Sequence, residues 1–263
     1  MARYLIIVIA CILVISCTTV PITGRQQLKL ISSDEINSMS FREYDKFIKK
    51  SKVVEGTYET EMVKRVGESI GNAVERFFSD LGRPDMLKGY KWEFSLIDDR
   101  AVNAWAMPGG KVVVYSGILP VAVDESGLAV VIGHEIAHAV ANHGNERMSQ
   151  GLLVQMGGVA LSVALSERPK ETRQLYMTAF GVGSTLGIML PYSRVHETEA
   201  DQLGLIFMAM AGYDPRVAIK FWERMASMKD SQTPEFLSTH PTPTNRIREI
   251  NQFIPQALEY YRP

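Results

Sequence analysis

Between Tyr90 and Leu96 the chain alternates apolar and polar side chains: Tyr90, Trp92, Phe94 and Leu96 stand against Lys91, Glu93 and Ser95. A two-residue period predicts a half-buried strand. Ala101 to Met107 and Lys111 to Tyr115 read as two further short strands, joined by Pro108-Gly109-Gly110, whose glycines tolerate a positive φ. Elsewhere the period is helical. Ser32 and Glu35 make a capping box that opens a helix to about Lys50. From Thr57 to Ser79, the residues Met62, Val66, Ile70, Ala73, Val74 and Phe77 recur on one face. Asp124 caps a helix expected to reach His143 and stop at Gly144. Another runs from Ser193 to Ala211 and stops at Gly212, and Asp214-Pro215 starts the next. The expected class is α+β, predominantly α, with helices flanking a small antiparallel sheet.

Two apolar stretches rich in Gly, Ala and Ser, Gly151 to Leu165 and Met177 to Leu190, flank the polar run Glu167 to Arg173. A helical hairpin within 151–190 is expected, each arm shorter than a comfortable membrane span. Gly181, Gly183 and Gly187 lack the dinucleotide spacing and follow no strand. Neither a P-loop nor a repeat is present.

The N-terminus is of another kind. Arg3 precedes an uncharged apolar run from Tyr4 to Ile15, followed by Ser16-Cys17. That run is too short for a stable span and reads as an export signal over residues 1–16. Val14-Ile15-Ser16-Cys17 resembles a bacterial lipobox, which implies a lipid on Cys17 and a membrane tether facing the periplasm. Residues 17–31 are then a stalk, and 32–263 the folded domain. Cys11 falls within the signal, so the mature domain holds no disulfide. Thr18 is not acidic, which favours the outer membrane where one exists.

The 263 residues are 46% apolar and carry 28 basic against 29 acidic side chains. Such a chain can bury a substantial core, and its charge offers no field for a nucleic-acid backbone.

The chemistry centres on His134-Glu135-Ile136-Ala137-His138. Histidines four apart on a helix share a face and can reach one ion, while Glu135 can approach the open side as a general base. Zinc needs a third protein ligand. His143 is turned away from His138, and His196 has weaker geometry than the carboxylates beside it. Glu197 and Asp201 share a helix face, so one can bind the metal while the other holds a ligand histidine.

The sequence resembles the M48 peptidases, zincins of the minimal gluzincin fold, in five stretches: Asn103 to Gly110, His134 to His138, Tyr192-Ser193-Arg194, Glu197 to Asp201, and His240-Pro241 with Arg246. The stalk and lipobox make the periplasmic lipoprotein branch the nearest match. This resemblance implies one zinc ion per chain on His134, His138 and Glu197, with Asp201 in support and Glu135 catalytic. It also implies that His240 approaches the metal, either closing the site or serving the transition state, and that Arg246 anchors that loop or stabilises an oxyanion. The strand at Asn103, Ala104 and Trp105 would pair with an extended polypeptide substrate. The implied activity is endopeptidase cleavage of unfolded or damaged cell-envelope proteins. The rival is a zinc-retaining assembly factor whose site is plugged.

Overall fold

The computed structural model describes residues 17–20, 23–166, 168, 170–184, 190–228, 235–240 and 245–263. The expected export signal, with Val14 to Ser16 of the lipobox, lies outside the described residues, as does Pro241. The chain forms two compact units, one of Ser33–Asn142 with Glu197–Pro263, the other of Met1–Ser32 with His143–His196.

The larger unit holds a four-stranded sheet: β3 (Val53–Val54), β4 (Glu93–Ile97), β5 (Ala104–Met107) and β6 (Lys111–Tyr115), in the order β3-β4-β6-β5. It is mixed, not antiparallel as expected. β4 and β6 run parallel, whereas β3 with β4 and β5 with β6 are antiparallel. The reason is topological. The chain leaving β4 passes to the far edge, lays down β5 there, and returns as β6 between them. The return is a turn with Pro108 and Gly109 at its centre, closed by Gly110 N–H donating to Met107 O at 3.2 Å. Gly109 has φ 87°, the left-handed value required at the second central position of a type II turn.

Helix α1 (Ser33–Ile48) packs on this sheet: Phe47 meets Trp105 edge to face at 5.0 Å. Helix α2 (Tyr58–Asp80) begins at Thr57, whose Oγ1 accepts from Thr60 N–H at 3.2 Å. It buries Val63, Val66, Ile70, Val74 and Phe77 along one face, and Gly67 leaves the space that Phe94 of β4 fills.

After a short turn of helix, α3 (Leu119–Ala122), comes α4 (Glu125–Val140), capped by Asp124 Oδ1 accepting from Gly127 N–H at 2.9 Å. Nearly every residue of α4 is buried, as expected of a helix that is apolar all round. It ends sooner than its sequence suggested. Asn142, not Gly144, takes the left-handed terminating conformation, with φ 58°, a position asparagine tolerates. The chain restarts at once as α5 (His143–Ala164), followed by α6 (Lys170–Ser184), α7 (Leu190–Met210), α8 (Val217–Ser227), α9 (Glu235–Thr239) and α10 (Arg246–Leu258). As expected, α7 stops at Gly212, where φ is 90°.

In the smaller unit, the segment expected as a stalk contains a hairpin, β1 (Cys17–Thr19) paired antiparallel with β2 (Gln26–Leu28). It is docked on α5: Leu30 N–H donates to Ser149 Oγ at 3.0 Å, and Asn145 Nδ2 donates to Ile31 O at 2.8 Å. Arg25 makes two 2.8 Å hydrogen bonds to Glu146, whose side chain is 1% exposed. Glu146 also meets His196 Nε2 at 2.9 Å, and the His196 ring stacks on His143 at 4.3 Å. Burial alone would raise the Glu146 carboxyl, but Arg25 and His196 hold it down at about 2, against an ordinary 4.5. A depressed carboxylate stabilises the fold above its unfolded pKa and loses that contribution as pH falls towards its folded one. This unit is therefore expected to lose about 3 kcal/mol between about pH 4.5 and 2. Denaturation midpoints measured across that range, with Glu146→Gln as a reference that lacks the drop, check this.

Candidate active site

Every residue of the site belongs to the larger unit. His134 and His138 stand one turn apart on α4, 3.1 Å between their Nε2 atoms. Helix α7 brings a carboxylate to them. Glu197 Oε2 lies 3.5 Å from His134 Nε2, and Oε1 lies 3.4 Å from His138 Nε2. The approach is possible because α4 and α7 touch through glycines. A Cβ on Gly204 would lie 2.9 Å from His134 N, and one on Gly133 would lie 2.9 Å from Gly204 O. Without side chains there, the helices come close enough for a short acid to reach the imidazoles. The sequence reading missed this pair; its signal was a glycine inside each helix, which costs about 1 kcal/mol in helix propensity and so marks a packing need.

His240, just beyond α9, completes the cluster. Its Nδ1 is 3.1 Å from Glu197 Oε1 and 3.4 Å from His134 Nε2. The ring stacks on Phe236 at 4.7 Å, which fixes its direction. Ligand atoms of His134, His138, Glu197 and His240 all lie within 4.8 Å of one another. Zinc–nitrogen bonds of about 2.0–2.1 Å give a tetrahedron with edges of about 3.3 Å. With Oε1 as the Glu197 ligand atom, four of the separations just given run from 3.1 to 3.4 Å, so the donor set fits a metal of the N/O-binding kind.

Around this cluster lies a buried polar layer. Asp201 Oδ1 is 3.0 Å from His134 Nδ1, the partner that fixes the ring and turns Nε2 towards the cluster. Arg246, the first residue of α10, is 1% exposed. Its Nη2 donates to Asp201 Oδ1 at 2.7 Å and its Nη1 to Glu197 Oε2 at 3.2 Å. The guanidinium lies 3.5 Å over the Trp222 ring of α8, a cation–π contact that helps fix it between both acids. Nothing in the spacing of Trp222 distinguished it from an ordinary core residue of α8. Burial would raise the Glu197 carboxyl, but the imidazoles of His138, His134 and His240 hold it well below the usual range. Burial likewise opposes charge on His134, yet its hydrogen bonds to Asp201 and Glu197 prevail and push it up to about 9.

Glu135 faces the other way, towards the sheet. It accepts a hydrogen bond from the backbone of Ala106, and burial raises its carboxyl. Its Oε1 accepts no hydrogen bond among the described residues, and the His240 Nε2 atom lies 3.4 Å away. β5 is an edge strand, paired only with β6 among the described residues. The Ala106 contact shows that its open side faces Glu135. Asn103 and Ala104 are buried where that edge begins, and Asn103 Oδ1 accepts from Ala104 N–H. The Trp105 ring is engaged by Phe47 and Tyr115, and its backbone, like those of Asn103 and Met107, turns towards β6, so Ala104 and Ala106 present the open edge. Arg194 is exposed. His143 and His196 are engaged with each other and with Glu146 in the smaller unit.

The sequence pattern of the family described as Peptidase family M48 matches residues 67–254. The mitochondrial metalloendopeptidase OMA1 of Schizosaccharomyces pombe is 34% identical over 243 residues, which cover 90% of this chain and 66% of that protein. The mitochondrial metalloendopeptidase OMA1 of Homo sapiens is 31% identical over 247 residues, 91% of this chain and 46% of that protein. The beta-barrel assembly-enhancing protease of Escherichia coli (strain K12) is 29% identical over 177 residues, 64% of this chain and 36% of that protein. The chain thus spans between about a third and two thirds of these relatives. With this match lying over the two-helix cluster and the strand beside it, the chain belongs to peptidase family M48.

Proposed function

We propose that the chain is a zinc-dependent endopeptidase that hydrolyses peptide bonds in unfolded or damaged proteins of the bacterial cell envelope. The observation that carries this reading is the conjunction of four ligand atoms within 4.8 Å of one another with a buried Glu135 oxygen that accepts no hydrogen bond among the described residues. His134, His138 and Glu197 hold one zinc ion, Asp201 orients His134, and Arg246 fixes both acids. When bound, zinc acidifies a water molecule and polarises the scissile carbonyl. Glu135 takes the water proton and passes it to the departing amine. Burial raises its carboxyl above the usual carboxylate range, which favours the protonated form it passes through. The substrate lies extended along the open side of β5, recognised through its backbone. Envelope substrates follow from the sequence: the lipobox-like Cys17 tethers the chain, facing the periplasm, with the outer membrane favoured.

A second reading draws on His240. Its ring lies within the ligand cluster, where it would close the site at rest. A chain that kept this closure would be a zinc-retaining assembly or binding factor. Casein cleavage by the purified chain separates the two. Chelation is expected to abolish cleavage, zinc to restore it, and His240→Ala to raise the rate if the ring is a latch or to lower it if the ring serves the transition state. Should neither the parent nor His240→Ala cleave, while both bind unfolded casein, the binding-factor reading replaces the first.

A further inference from the structure

The smaller unit carries a surface that proteolysis does not use. No Asp, Glu, Lys or Arg occurs from Ser149 to Ser166 or from Gln174 to Ser193. These stretches supply most of α5 and α6, which pack against each other as a helical hairpin. The arms meet through small residues: a Cβ on Gly157 would lie 3.1 Å from Phe180 Cζ, and one on Gly158 would lie 3.5 Å from Phe180 Cε1. Because Phe180 and the glycines make that contact, the larger apolar side chains are left outside it. Leu152, Met156, Val159 and Val163 follow one another at helical spacing along α5, and Leu175 and Tyr176 stand on α6, all exposed. Val163 is 69% exposed and Leu175 is 70% exposed. A continuous apolar surface of this kind marks an interaction site.

We propose that this hairpin lies in the surface of a lipid bilayer, beside the chain's own tether. Three observations favour lipid. The hairpin of β1 and β2 docks on the first turns of α5, through Asn145, Glu146 and Ser149. Cys17, the residue read as bearing the lipid, is the first of β1, so the proposed tether enters the fold at the root of this hairpin. The length also fits an interfacial position. Once the docked turns are set aside, Gly151 to Ala164 is about 21 Å of helix, short of the roughly 30 Å of a hydrocarbon core. Accordingly, no helix among the described residues is long and apolar enough to cross a membrane. Finally, Arg168 lies between the arms and Lys170 and Arg173 stand in the first turn of α6, which with Glu167 and Glu171 leaves one net positive charge over 167–173; the cations can meet anionic headgroups while Tyr176 spans the apolar and polar layers.

This inference rests on the proposed tether for its geometry, and the test separates the two. The full chain, purified from membranes, is added to vesicles of phosphatidylethanolamine and phosphatidylglycerol with or without brominated acyl chains. Tryptophan is placed at the hairpin in Met156→Trp and Val159→Trp, and at an exposed position of the other unit in Tyr58→Trp. Fluorescence is read as the difference from the parent, and casein cleavage confirms that each variant is folded. Bromine is expected to quench about half or more of the added emission at 156 and 159, as for side chains held about 5–10 Å deep, and to leave that at 58 unchanged. Vesicle-bound chain without quenching at 156 and 159 overturns the hairpin inference and leaves the tether standing. Quenching together with undiminished flotation of Cys17→Ser overturns the tether and leaves the hairpin. A parent that does not float overturns both. Lipid-independent shielding of 156 and 159, with cross-linking of one copy to another, would assign the surface to self-association.

Discussion

Glu135→Gln is expected to lower kcat/KM for unfolded protein by about a thousand-fold or more, the scale of a lost general base, while zinc remains bound at one ion per chain. The amide matches the carboxylate in size and keeps an oxygen for the Ala106 backbone, so the fold has no reason to move. What disappears is the carboxylate's capacity to accept a proton from a molecule that enters the site, at an Oε1 that is buried and accepts no hydrogen bond among the described residues. The metal cluster is untouched, because Glu135 is not among its clustered ligand atoms. Cleavage kinetics with matched zinc analysis check the prediction. Residual activity within about tenfold of the parent would remove Glu135 from the chemistry.

The second large effect is on the assembly of the site. Gly204→Ala is expected to destabilise the larger unit by about 2 kcal/mol, the ordinary cost of overpacking, and to weaken zinc binding by about 10–100-fold, as changes just outside a metal's ligands do. In a helix, alanine over glycine gains up to about 1 kcal/mol, so the sign depends on what the new methyl meets. At Gly204 it meets the backbone of Gly133 and His134, with the nearest atom at 2.9 Å. Backbone cannot rotate away, and α7 must shift, carrying Glu197 and Asp201 off the imidazoles. Gly151→Ala is the control. It meets nothing within 4 Å in α5 and is expected to stabilise by about 0.5–1 kcal/mol. Thermal melts and competitive zinc titration of both variants test the contrast. A Gly204→Ala chain with parental zinc affinity would show that the glycine contact does not set the geometry.

Much of this was legible in the sequence because its causes are local. The two-residue alternation ending at Leu96, the helical period beginning near Thr57, the cap at Asp124 and the stop at Gly212 each act within a few residues, and the corresponding elements lie close to where those signals put them. His134 and His138 were legible for the same reason, four residues on one helix being one turn. The sheet's parallel pair was not, since which strand lies between two others depends on the path of the connection and not on any strand's composition. Asn142 in place of Gly144 followed from a restart of the chain as α5, which no local cap announces. The expected stalk was misjudged because strands of three residues are too short to show a period. Distance in sequence also hid the role of Trp222, whose ring matters only because Arg246, on another helix, lies over it, and that of Arg25, which meets Glu146 across 121 positions.

If substrate pairs with the open side of β5, as proposed, that edge decides which proteins become targets. An edge strand of four residues receives only a partner that has surrendered its own backbone hydrogen bonds over a comparable length, about 13 Å of extended chain. A folded domain meets that condition only during local opening. Each additional 1.4 kcal/mol of opening free energy lowers the receptive fraction tenfold. Under the proposed function, selection would then need no recognition motif: the least stable proteins within reach would be consumed first, and a neighbour with the same amino-acid sequence at the cut site would survive by remaining folded.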